Sequence, residues 1–256
     1  MTRVALIAAA VVALGGFAMF FGRPVASEPA AAAPPAPVVA APVTASAAGV
    51  AVMEGPTMPS PAAEAQVVDA IRAGEVSYNA GNVEAALARY RAALDADPQN
   101  PIALNNVGQV LVRLDRPEEA IPYFDRAIAA APAAWASHFN RARAYSEMGR
   151  WSQAIAGYRE ADRLFPDDYA TVFNLARAQQ ANGDLSASIG SYERAIRLAP
   201  GQTDFHLSHA AALELARRPL EAAAAYRRYL DLEPEAPRAD TIRERIAQLE
   251  AVQSTP

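Results

Sequence analysis

The chain has 256 residues, 52% of them apolar but only 7% aromatic, and alanine fills much of the gap. That composition suits close-packed helices, since Ala is the best helix former, and fits a β-sandwich poorly. The absence of cysteine and lysine excludes disulfides, thiolate metal sites, thiol catalysis and Schiff-base or P-loop lysine chemistry, and a net charge of −5 argues against a nucleic-acid binder.

Met1-Thr2-Arg3 is a short cationic start, and Val4 to Phe21 follows without a charge. Eighteen residues at ~1.5 Å each span roughly 27 Å, close to the ~30 Å core of a bilayer. Residues 1–23 therefore read as a membrane signal-anchor. A cleaved signal peptide stays open, because Val25-Ala26-Ser27 is a passable cleavage site. Both readings put the bulk of the chain outside the cytoplasm, and Arg3 leans weakly toward a cytoplasmic N-terminus.

Residues 24–66 are dense in Pro and Ala, with three charges: Glu28, Glu54 and Glu64. Proline fixes φ and removes a donor, so a semi-extended linker is predicted there. Fully extended at ~3.1 Å per residue, it would reach roughly 130 Å.

Residue 67 opens a repeat. Pro98, Pro132, Pro166, Pro200 and Pro234 fall 34 residues apart. Eight residues before each stands an aromatic: Tyr90, Phe124, Tyr158, Tyr192 and Tyr226. Twelve before stand Ala86, Ala120, Ala154, Ser188 and Ala222; five before stand Ala93, Ala127, Ala161, Ala195 and, as an exception, Tyr229. Twenty-four before stand Gly74, Gly108, Ala142, Ala176 and Ala210. Small residues let paired helices pack closely, the aromatic fills the space between them, and proline ends the second helix. Gly81, Gly149 and Gly183 are predicted to end first helices. Two repeats put Asp115-Arg116-Pro117 and Arg217-Arg218-Pro219 there instead, with a proline suited to a first turn.

This pattern resembles the tetratricopeptide repeat, a 34-residue helix-turn-helix unit. The resemblance implies an all-α, right-handed superhelical solenoid of five repeats over 67–236: 67–100, 101–134, 135–168, 169–202 and 203–236. Residues 237–253 follow as a C-terminal capping helix, with Ile242, Ile246 and Leu249 on one face.

No catalytic constellation is found: there is no phosphate loop, nucleophile elbow or H-E-x-x-H motif. His138, His206 and His209 fall on packing positions of the repeat, so no metal and no cofactor are expected, and the chain does not read as an enzyme. Asp167-Asp168 and Arg227-Arg228 read as solvated charge pairs near helix ends.

In the family, the first helices line a concave surface that binds peptide segments. Asn106, Asn140 and Asn174 share its sixth repeat position and form a ladder, similar to that of the repeat domain of O-linked N-acetylglucosamine transferase. Each amide can donate and accept, so the ladder suits gripping an extended backbone. As solvent-facing groups they should be removable with little effect on folding. Beside them lie Phe139 and Phe173 at the fifth position and Gln109, Arg143 and Arg177 at the ninth. Two arginines over two rings suit an acidic or aromatic ligand. The family's carboxylate clamp is not reproduced, since Asn105, Gln109, Asn140 and Ala170 stand at its positions. The expectation is a protein-binding scaffold or assembly factor, held at the inner membrane by Val4–Phe21 with its repeats in the periplasm, or free there if the signal is cleaved. The alternative is an accessory subunit of an envelope machine such as cytochrome c maturation, pilus or secretion assembly, or envelope synthesis.

Overall fold

The computed structural model describes residues 61–251. The predicted membrane segment Val4–Phe21, most of the linker and the last residues of the cap lie outside the described residues. Eleven helices and no strand are present among those described: α1 Pro61–Asn79, α2 Val83–Ala96, α3 Pro101–Arg113, α4 Pro117–Ala130, α5 Trp135–Glu147, α6 Trp151–Leu164, α7 Tyr169–Ala181, α8 Leu185–Leu198, α9 Thr203–Leu215, α10 Pro219–Leu232 and α11 Ala239–Ala251.

One boundary differs from the sequence expectation. Composition extends the linker to residue 66, whereas α1 begins at Pro61. Proline is favoured in a first turn, where its missing N–H would be unpaired anyway, and the following alanines with Glu64 complete a good helix start.

The repeat chemistry fixes the helix ends. Each second helix stops two residues before its proline, and the residue preceding the proline is pushed out of helical geometry, as at Asp97 (φ −136°, ψ 92°) and Glu233 (φ −134°, ψ 73°). First helices end on a left-handed residue. Gly81 (φ 79°), Gly149 (φ 69°) and Gly183 (φ 88°) take that position freely, but Asp115 and Arg217 occupy it at φ 58° in the other two repeats. A non-glycine residue there costs about 1–2 kcal/mol, so those two repeats carry local strain that the proline reading missed. Asp168 is not solvated as expected: its carboxylate caps α7, accepting from Thr171 N at 2.8 Å and Thr171 Oγ1 at 2.6 Å. Asp167 pairs with Arg194 at 3.2 Å, and Arg227 pairs with Glu250 of α11.

Small residues and aromatics interlock inside each hairpin. Ala120, Phe124 and Ala127 are fully buried, as are their counterparts Ala154, Tyr158 and Ala161. Gly108 is a close-approach position: a Cβ there would lie 2.5 Å from Phe124 Cε1. Gly108→Ala should therefore destabilise the array by about 1 kcal/mol or more, since the overpacking (~1–3 kcal/mol) outweighs the ~0.5–1 kcal/mol that alanine normally gains in a helix. A urea midpoint at or above wild type would refute the close packing.

The helices that face inward can be read from which ones approach each other. Each helix packs on the next in sequence, and α1, α3, α5 and α7 also approach the following first helix within 8 Å, Cα to Cα. Among the described residues, no second helix does so with another second helix. The first helices therefore form the shorter-radius, concave row. At the C-terminal end α11 covers α10, and Tyr226, Tyr229, Ile242, Ile246 and Leu249 share one core cluster. Tyr229 breaks the alanine rule at that repeat position where the array meets a single helix rather than another hairpin.

Candidate functional site

The inner row of α3, α5, α7 and α9 carries every residue singled out for ligand contact, but the amides are not free as expected. Asn140 is 1% exposed and Asn106 7%. Asn140 Nδ2 donates to Asn105 Oδ1 of the preceding repeat at 3.0 Å, and Asn105 Nδ2 donates to Asn106 Oδ1 at 3.4 Å. Asn106 Nδ2 is buried without a partner. Asn174 is half-buried and donates to Ala170 O of its own helix at 2.8 Å. Of the three sixth-position amides, Asn140 joins two repeats, whereas Asn106 and Asn174 meet partners on their own helices.

A stability consequence follows. Asn140→Ala removes a buried hydrogen bond and orphans the Asn105 carbonyl, so it should cost about 1–2 kcal/mol. Asn174→Ala should stay within about 0.5 kcal/mol. Thermal melts of the two variants check this, and equal melting temperatures would return Asn140 to solvent.

The aromatics are likewise spent on packing. Phe139 is buried, edge-on to Tyr158 at 5.5 Å and to Trp135 at 6.3 Å. Phe173, half-buried, stacks on Phe205 at 4.4 Å. Arg177 lies 6.0 Å from the Phe173 ring, so one of the two expected arginine–ring pairs is present. A different one, unforeseen, has Arg113 over Tyr78 at 4.7 Å.

The ninth position supplies the available groups. Gln109 is half-buried and Arg177 exposed. Arg143 is half-buried; its Nε makes no hydrogen bond and stands 3.9 Å from Glu147 Oε1. Burial holds the Glu147 carboxyl above the usual range despite Arg143 and with help from Asp115. Burial and Glu233 likewise raise Asp204, against the pull of Arg177. These acids are imperfect partners for their arginines. Tyr158, whose hydroxyl lies 3.4 Å from Ser146 Oγ, has its phenol pushed up to about 12 by burial.

The histidines behave as packing residues. Nε2 of His138 and of His206 lie 3.0 Å from Pro132 O and 3.1 Å from Pro200 O. His209 lines a cleft of about 440 Å³ between α8, α9 and α10, and its Nε2 is buried without a hydrogen bond. Among the described residues no group of three His, Asp or Glu side chains is placed to hold a metal. Burial lowers the His209 pKa from its ordinary 6.5; Glu193 and Glu221 oppose this, while His206 and Arg218 add to it. The unfolded chain therefore takes up a proton first. Stability is unaffected by this group above pH 6.5 and falls as pH drops below it, by at most about 1.4 kcal/mol per pH unit for one proton. His209→Gln should flatten that part of the stability–pH curve, measured by denaturant titration at each pH; an unchanged slope would assign it elsewhere.

A tetratricopeptide-repeat family model matches residues 71–134, 108–169, 139–203 and 173–237. No curated protein matches the chain. Among solved structures, MamA 41-end from Desulfovibrio magneticus RS-1 is similar at 16% identity and TM-score 0.63, over 67% of this chain and 97% of that one. PilF of Pseudomonas aeruginosa is similar at 21% identity and TM-score 0.65, over 76% and 88%. YrrB, described as a TPR protein with an unusual peptide-binding site, is similar at 18% identity and TM-score 0.61, over 70% and 92%. Matched family units that overlap across 71–237, set on hairpins with the repeat's small, aromatic and proline positions in place, make this chain a member of the tetratricopeptide-repeat family.

Proposed function

We propose that the chain is a scaffold or assembly factor that binds extended segments of other proteins along its concave row, and is not itself an enzyme. The observation that carries this reading is the run of ninth-position side chains, Gln109, Arg143 and Arg177, whose polar groups the fold leaves largely unused on a surface otherwise built of packing residues. YrrB, a similar structure described as having an unusual peptide-binding site, supports peptide binding by this chain. Neither cofactor, metal nor nucleic acid enters this function.

The apolar run Val4–Phe21 supports holding the repeats at the inner membrane on its outer face, with the linker as tether. Among the described residues no helix is long and apolar enough to cross a membrane, and Val4–Phe21 lies outside them.

Two measurements test the proposal. A photo-crosslinker at Gln109 should capture a partner in cells, while the same group at the exposed Arg228 should not; capture from Arg228 alone would move binding off the inner row. Protease added to spheroplasts should release a fragment beginning within residues 24–60, and full protection would remove the extracytoplasmic assignment.

A further inference from the structure

Resting on that reading of the groove, we infer that its occupant is an extended acidic segment with carboxylates at every third residue, one bound by Arg143 and the next by Arg177. Charge availability is the first argument. Arg116, Arg163 and Arg218 clasp carboxylates at 2.6–2.9 Å, and Arg194 does so at 2.6 and 3.0 Å. Arg143 and Arg177 do not: the buried Nε of the former stands 3.9 Å from Glu147, and the latter lies against the Phe173 ring and acts on Asp204 only through space. A guanidinium presents a planar fork of donors that matches a carboxylate with two parallel hydrogen bonds. Since the Arg143 Nε is buried, a carboxylate arriving from the groove meets its outer Nη groups, and both arginines gain a better partner than the fold supplies.

Spacing is the second argument. Arg143 and Arg177 hold the same position on α5 and α7, which approach within 8 Å, Cα to Cα, and packed helices have axes about 8–10 Å apart. A polyproline II segment has three residues per turn and rises ~3.1 Å per residue, so every third side chain lies on one edge, about 9 Å from the last. Alternate residues of a β-strand stand only about 6.7 Å apart, and a helical i,i+3 pair rises about 4.5 Å. The repeat therefore matches the polyproline II period.

The full chain is titrated with a fluorescent peptide of repeating Glu-Pro-Ala, against Gln-Pro-Ala and against a peptide with glutamate at every second residue. The first should bind about tenfold or more tightly than either, as expected for hydrogen bonds to charged groups. Its advantage should shrink as salt is raised, and disappear in Arg177→Gln, an exposed position whose folding is checked by circular dichroism. Equal binding of the glutamate and glutamine peptides, unchanged in Arg177→Gln, would overturn the acidic specificity. In that case Ala170→Trp, which plants a ring on the inner row, separates the two readings. Loss of all binding in it keeps the groove as the peptide site, whereas binding that survives Ala170→Trp overturns the groove reading as well.

Discussion

Glu214→Ala should detach the C-terminal cap and cost about 2–3 kcal/mol. Glu214 sits on α9 with its side chain 9% exposed, and its two oxygens serve different helices. Oε1 accepts the Tyr226 hydroxyl of α10 at 2.7 Å, and Oε2 accepts Arg245 Nε of α11 at 2.9 Å. Among the described residues the α11 backbone comes within 8 Å, Cα to Cα, of α10 but of no other helix, and this ion pair ties it to the preceding first helix. Breaking a fully buried pair by removing one partner costs about 3–5 kcal/mol. The figure is reduced because Arg245 is 39% exposed and can rehydrate. Glu214→Gln keeps an acceptor for Tyr226 and should lose only about half as much. Stability in such arrays is a sum of repeat and neighbour terms, so the loss should be local. Amide exchange should speed up in α11 and then α10, before α3 to α6. Unchanged protection in α11 would show that apolar packing holds the cap by itself. Truncation at Glu235 is the limiting case, because it uncovers Tyr226 and Tyr229 and should lower solubility more than helix content.

The helices were legible because each repeat states its rules separately. Proline positions fix where second helices stop, and small and aromatic positions fix which faces meet. Pro61 shows the limit of such reasoning. A stretch rich in Pro and Ala reads as linker until one proline falls at a helix start with alanines and a glutamate after it. Asp115 and Arg217 show another limit. Their left-handed backbone is imposed by hairpin closure, a tertiary requirement that overrides what those residue types prefer alone.

The site was legible in position but not in orientation. The repeat register places Asn106, Asn140, Asn174, Arg143 and Arg177 on the inner row, as the approach of successive first helices requires. It does not say whether a side chain points into the groove or across to the next repeat. Asn140 reaches across, because the fifth position of the preceding repeat happens to be Asn105, a short polar partner. The following repeat meets Phe139 instead, and Asn174 turns back on its own helix. The residue at the fifth position of one repeat therefore decides where the sixth-position amide of the next one turns.

A second pairing is written in the sequence at a spacing of 12 residues. The aromatic of the second helix stands 12 residues after a position near the end of the first. Where that aromatic is tyrosine, its hydroxyl meets a polar side chain: Ser146 Oγ with Tyr158 at 3.4 Å, Gln180 Oε1 accepting from Tyr192 at 2.8 Å, and Glu214 Oε1 from Tyr226. In the second repeat the pair is Phe124 and Val112, both buried in one apolar cluster. The first repeat, Tyr78 with Tyr90, follows neither form. Phe124→Tyr should therefore place a hydroxyl where only apolar groups wait, at a cost of about 1–3 kcal/mol for the unpaired donor. Val112→Gln alone buries an amide against the Phe124 ring and should also destabilise, by a similar amount. Together they recreate the Gln180–Tyr192 arrangement, and the double variant should recover about 1–3 kcal/mol relative to the sum of the single changes. Such a coupling is what contacting groups show when each single change strands a polar atom. Urea midpoints of the four proteins close the cycle, with circular dichroism confirming the same helix content in each. Strict additivity would mean that the tyrosine hydroxyls are satisfied by water at the hairpin edge. The matched identities at these two positions would then owe nothing to a shared hydrogen bond.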